Sequence, residues 1–122
     1  MAVTTSTASN PLVTTVVTAS AATTTVETAA TGNKTLYAVE IVNGDDSPIF
    51  VHLIDAFQNS NTTTAHQTQL YCAANTTCYY YFPVGYLTTN GIQFYVSTTA
   101  GGGANSVAPT GVVSVKLGFT AR

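Results

Sequence analysis

The sequence predicts an all-β fold: an antiparallel β-sandwich or jelly-roll-like unit of about seven strands with an extended N-terminal arm. Three observations carry that expectation. Short runs rich in Val, Ile, Thr, Tyr and Phe recur at spacings of roughly ten residues, bounded by Gly, Pro, Asn or Asp. No segment repeats its apolar residues at the helical period. Thr supplies about a fifth of the chain, and a β-branched side chain with a hydroxyl suits the half-wet face of a strand.

The chain divides into an N-terminal Thr-rich arm, residues 1–30, and a β-sandwich domain, residues 31–122. Met1–Asn10 is small and polar and is closed off by Pro11. Leu12–Thr28 has strand composition but weak alternation, consistent with two short strands broken near Ala19–Ala22. Such an arm pairs either with a sheet edge of its own subunit or with a neighbour's. Leu36–Val42 and Ile49–Asp55 flank the reversing residues Asn43-Gly44-Asp45-Asp46-Ser47-Pro48 and read as a central hairpin. His66–Cys72 and Cys78–Phe82 read as a second hairpin around Ala73–Thr77. Pro83-Val84-Gly85 then breaks the chain before a short strand, Tyr86–Thr88, and the turn dipeptide Asn90-Gly91. In Ile92–Thr99, Ile92, Phe94 and Val96 share one face, and Gln93, Tyr95 and Ser97 the other. Ala100–Pro109 is a glycine-rich loop, and Gly111–Thr120 turns Val113, Val115 and Leu117 inward.

Composition limits function. Charged residues are 7% of the chain, against roughly 25% in an average soluble protein. Three basic residues and a net charge of −2 offer nothing to neutralise a phosphate backbone, so no nucleic-acid partner is expected. No run of about 20 apolar residues suggests a membrane partner. The amino terminus lacks the basic and apolar regions of a secretion signal, so synthesis in the cytoplasm is expected. A surface this poor in charge is tolerated when copies of the chain or other subunits cover it.

The order LYAVEIVN, SPIFVHLIDAF, YFPVGYLTTNGIQFYVSTT and VVSVKLGF resembles a family of small virion structural proteins of tailed bacteriophages. The resemblance covers residues 36–120. It implies a β-sandwich capsid decoration (cement) protein, a homotrimer on the virion's capsid surface that stabilises the head by bridging subunits of the major capsid protein. Other proteins of this kind are similar to tail-fibre or baseplate components and receptor (glycan)-binding modules. A cellular surface or appendage subunit is a further alternative.

Several residues invite chemical readings. Cys72 and Cys78, at the ends of the second proposed hairpin, are a candidate disulfide; two reduced, buried thiols are the equal alternative. Two Cys and two His without zinc-type spacing argue against a metal, and no cofactor is expected. His52 and Asp55, three apart on a strand, point to opposite faces, and no nucleophile elbow is present, so no enzymatic activity is expected. Asp45-Asp46 lacks the calcium-loop pattern and reads as a solvated turn. The aromatic band is the strongest candidate for contact. Tyr79 and Tyr81 point one way, Tyr80 and Phe82 the other, so one set is exposed or covered by a partner. Tyr71, Tyr79, Tyr80, Tyr81 and Tyr86, with Leu12, Val13, Val16 and Val17 of the arm, are the expected interface residues.

Overall fold

The computed structural model describes residues 2–7 and 15–121. Among the described residues there are nine strands, all paired antiparallel: β1 (Ala2–Thr7), β2 (Thr15–Ser20), β3 (Glu27–Thr31), β4 (Lys34–Asn43), β5 (Ile49–Ile54), β6 (Thr68–Cys72), β7 (Thr76–Thr88), β8 (Gly91–Ser97) and β9 (Val113–Ala121). Sheet A has the order β1-β2-β9-β4-β7, and sheet B the order β3-β8-β5-β6.

The pairings nest. β5 pairs β6, β4 pairs β7, β3 pairs β8 and β2 pairs β9. From β2 onward the chain is one long hairpin bent at residues 55–67 and rolled up, with successive strands alternating between the sheets except at that bend. This is a jelly roll, with β1 added as an outer strand of sheet A. The arm is built in: β2 lies on β9 and β3 on β8 of the same chain. The break between them, at Ala21–Val26, carries the crossing from one sheet to the other. The two short strands expected in Leu12–Thr28 are β2 and β3, which the count of about seven leaves out; that count also misses β1 and divides β7 in two.

Both expected hairpins are absent. β4 and β5 lie in opposite sheets, as do β6 and β7, so Gly44–Pro48 and Ala73–Asn75 span the gap between sheets instead of reversing within one. The turn residues were read correctly as places where the chain changes direction, but their composition does not say in which plane. Pro83-Val84-Gly85 does not break the chain either. β7 runs through it, with Ala38 opposite Tyr81 but Leu36 opposite Tyr86, and the surplus residues bulge out. Pro83 is tolerated because β7 is an edge strand and needs no ladder hydrogen bond on its outer side. Gly85 takes φ +84° in the bulge, with the Thr35 methyl against the place a Cβ would occupy.

The core lies between the sheets. Val39 and Ile41 of β4 and Val115 and Leu117 of β9 face Val51 and Leu53 of β5 and Phe94 and Val96 of β8, all buried. Alternation puts every second residue of each strand into this layer. Deleting the Leu117 side chain beyond Cβ is expected to cost about 2–5 kcal/mol.

One end of the sandwich is pinned by a single carboxylate. Asp45 is not in a solvated turn; it is 2% exposed. Its Oδ1 accepts hydrogen bonds from the Gly111 N–H at 2.5 Å, the Thr110 N–H at 3.0 Å and the Thr110 hydroxyl at 3.0 Å, and its Oδ2 from the Ser47 N–H at 3.1 Å. Asn43 completes the joint. Its amide donates to the carbonyls of Ser47 and Ala73, both at 3.0 Å, and its Oδ1 accepts the Asp45 N–H at 2.9 Å. A Cβ on Gly111 would lie 2.6 Å from the Gly44 carbonyl oxygen, so only glycine permits this approach. The Gly111 N–H, followed by Thr110 and Ser47, holds the Asp45 carboxyl below its ordinary 3.8 despite its burial. That contribution to stability is complete above the ordinary value and is lost as pH falls below it. Asp45→Asn is therefore expected to lower the unfolding temperature at neutral pH and to flatten the acid limb of stability against pH, measured by calorimetry across the acid range.

Candidate functional site

The two sheets differ in what covers their outer faces. Over sheet B lie the chain's own loops, residues 55–67 and 98–112. The Gly103 N–H donates to the Thr62 carbonyl at 2.7 Å, the Tyr95 hydroxyl to the same carbonyl at 3.3 Å, and the Gly101 N–H to Gln69 Oε1 at 2.9 Å. Every residue of β8 is consequently buried, although Gln93, Tyr95 and Ser97 face away from the core.

Under these loops is a polar cluster that sequence reasoning did not assemble. His52 is stacked on Tyr95, with centroids 4.3 Å apart and planes at 12°, and the His66 ring meets it edge-on at 4.9 Å. His52 Nε2 lies 2.9 Å from Ser97 Oγ. The Ser97 hydroxyl donates its one proton to the Thr99 carbonyl at 2.7 Å, so Nε2 carries the proton of the His52–Ser97 bond. Nδ1 is buried without a hydrogen-bond partner. This histidine–serine contact directs the serine proton away from the imidazole, and both residues are 0% exposed. The Ser97 bond to the Thr99 carbonyl ties the start of the 98–112 loop to the sheet. Only the register of His52 against Tyr95, with Phe50 against Ser97, brings the group together, and periodicity alone does not supply a register.

Burial, followed by the nearby His66, pushes the His52 pKa from 6.5 down to about 4. The unfolded chain therefore takes up a proton at a higher pH than the folded one. Stability is complete above 6.5 and falls as pH drops toward about 4. NMR titration of the imidazole resonances is expected to show His52 neutral down to about 4. A midpoint near 6.5 would show an accessible ring instead.

The outer face of sheet A has no such loop cover among the described residues. It presents Thr77, Tyr79 and Tyr81 of β7, Ala38, Glu40 and Val42 of β4, Ser114, Lys116, Gly118 and Thr120 of β9, and Val16 and Thr18 of β2. Tyr79 and Tyr81 are 56% and 68% exposed, their rings parallel within 6° and 6.3 Å apart. At the open edge beside them Val84 is 95% exposed and Leu87 59%. Reading Pro83-Val84-Gly85 as a break passes over Val84, and Leu87 lies in the short strand Tyr86–Thr88 to which the sequence assigns no face.

The remaining tyrosines serve the core or its rim. Tyr80 and Phe82 point inward, and the Tyr80 hydroxyl donates to the Tyr71 carbonyl, joining the neighbouring edges of the two sheets. Tyr86 packs on Phe82 at 5.5 Å. Tyr71, half-exposed on the outer side of β6, meets Phe50 edge-on at 5.6 Å. Leu12 and Val13 lie outside the described residues. Val16 and Val17 lie on β2 opposite Gly118 and Leu117.

Cys72 and Cys78 are free thiols, one in each sheet. Burial and the adjacent Cys78 push the Cys72 thiol up to about 12, which leaves it a poor nucleophile. Asp55 accepts hydrogen bonds from the N–H groups of Thr89, Asn90 and Gly91, and so caps the β7–β8 crossing. No group of three or more His, Cys, Asp or Glu able to hold a metal ion occurs among the described residues. Comparison of the chain with family models, curated proteins and solved structures found no match.

Proposed function

We propose that the chain is a non-enzymatic virion structural protein of a tailed phage, a decoration or cement protein that stabilises the head by bridging subunits of the major capsid protein. The observation that supports this best is the outer face of sheet A. It is a broad β-surface with few charges, bordered by the exposed Tyr79–Tyr81 pair and the apolar edge residues Val84 and Leu87. Parallel tyrosines give large, rigid contact area with little side-chain entropy to lose, and a face of Thr, Ser, Ala and Gly permits close approach. His52, Gln69, Tyr95 and Ser97 of sheet B are occupied in holding the chain's own loops, which leaves sheet A as the broader surface open to others. The resemblance of residues 36–120 to phage structural proteins points the same way. Many identical contacts of this kind, repeated over a capsid, oppose its expansion by mass action.

Quantitative mass spectrometry of purified particles of the encoding phage tests the assignment. Copies on the order of hundreds per particle are expected from a repeating head lattice. A few to tens of copies would place the protein in the tail and overturn the decoration role, and absence from particles would overturn the virion role. Tyr79→Ser/Tyr81→Ser is expected to weaken particle binding by at least roughly tenfold while leaving the unfolding temperature almost unchanged, because aromatic anchors dominate interfaces and these two are exposed in the free chain.

A further inference from the structure

Two rows of side chains cross the outer face of sheet A. The first is Tyr79, Glu40, Lys116 and Thr18, taken from β7 through β4 and β9 to β2. The second is Tyr81, Ala38, Gly118 and Val16 on the same four strands. Glu40 and Lys116 are the charged residues of these rows, and they stand on either side of the seam between β4 and β9. Outward from that seam, over the four strands β7, β4, β9 and β2, the rows are self-complementary; β1 continues them on one side only, with Thr4 beside Thr18. Acid matches base, the small Ala38 matches the small Gly118, and each tyrosine matches a β-branched residue of β2.

We propose that this face packs on the same face of a second copy of this chain, about a two-fold axis lying along the β4–β9 seam parallel to the strands. That axis sets Glu40 of each copy over Lys116 of the partner subunit, so the pair forms twice. Tyr81 lies over Val16 of the partner subunit, and Tyr79 over Thr18 of the partner subunit. An isologous interface requires such self-matching of one patch. The charges also choose the axis: a two-fold axis across the strands through the same row lays Glu40 on Glu40 and Lys116 on Lys116, a like-charge contact that costs affinity. Ala38 and Gly118 keep the centre of the face shallow, so two sheets can approach to roughly the 10 Å spacing of a sandwich with their strands aligned. The flanking tyrosines then supply the buried area. The pairing rests on the decoration reading for its biological purpose: the two-fold pair is the unit that binds the particle, and Tyr79 and Tyr81 act on particle binding by holding that unit together.

Sedimentation of wild type, Glu40→Lys, Lys116→Glu and an equimolar mixture of the two variants tests it. The wild-type chain is expected to form dimers. Each variant alone sets like charges across the axis, and its self-association is expected to weaken roughly tenfold or more. The mixture is expected to recover dimers, because each variant then offers the charge that the other requires. Rescue in trans changes neither chain's own sheet, so a folding defect cannot produce it. Tyr81→Ser, which leaves the charges intact, is expected to weaken the dimer as well. A wild-type chain that stays monomeric or sediments as a trimer overturns the two-fold packing, as does a mixture no tighter than its separate components. Copy number per particle is unaffected by these outcomes, so this proposal and the decoration role fail independently.

Discussion

In a jelly roll nearly every connection leaves its own sheet, and the backbone N–H groups stranded at those crossings must be satisfied at the surface of the core. Two carboxylates meet that demand. Asp45 gathers the N–H groups of Ser47, Thr110 and Gly111, and joins the β4–β5 crossing to the start of β9. Asp55 gathers those of Thr89, Asn90 and Gly91, and joins the end of β5 to the β7–β8 crossing. Of the five acidic residues in the chain, these two have their oxygens committed to main-chain donors. Charge is scarce here, and part of it holds the folded chain at its crossings.

This arrangement explains what was legible in the residues and what was not. Alternation located β4, β5, β8 and β9 because each buries one full row of β-branched or aromatic side chains, as Ile92, Phe94 and Val96 show. It also separated Tyr79 and Tyr81 from Tyr80 and Phe82. Pairing was illegible because the nested order is set by contacts between distant strands, such as β2 with β9, that no local turn encodes. Asn43-Gly44-Asp45-Asp46-Ser47-Pro48 has a hairpin's composition, yet the bonds that decide its course run to Thr110, Gly111 and Ala73, far along the chain. The His52–Ser97 contact was hidden for the same reason. β7 was divided because a proline usually ends a strand, and only its place at the sheet edge exempts Pro83.

The two outer faces show how the chain deals with apolar surface. Sheet B would expose Phe50, His52, Ile54, Gln93 and Tyr95, and two long loops fold over it and bury most of that row. Ordering those loops costs conformational entropy, offset by the edge-on contact of His66 with His52 and by bonds from Ser97, Gly101 and Gly103. Sheet A receives no comparable cover among the described residues. It carries Tyr, Thr, Ser, Ala and Gly, a surface wet enough to stand in water yet flat and apolar enough to lie against another sheet. The asymmetry separates a face closed by the chain itself from one left available.

Association through the face, and not through the edge, is consistent with how β7 is built. An open edge strand invites another strand to add to it. In β7 that invitation is interrupted: Pro83 has no N–H to offer, and the bulge that ends at Gly85 throws the strand out of register. Val84 stands out from this irregular stretch, where it blocks the flat approach that strand addition requires. The regular part of β7, by contrast, holds the Tyr79 and Tyr81 rings parallel. Edge disorder and face order therefore act together: one discourages open-ended strand addition, and the other presents a patch on which a closed, symmetric contact can form.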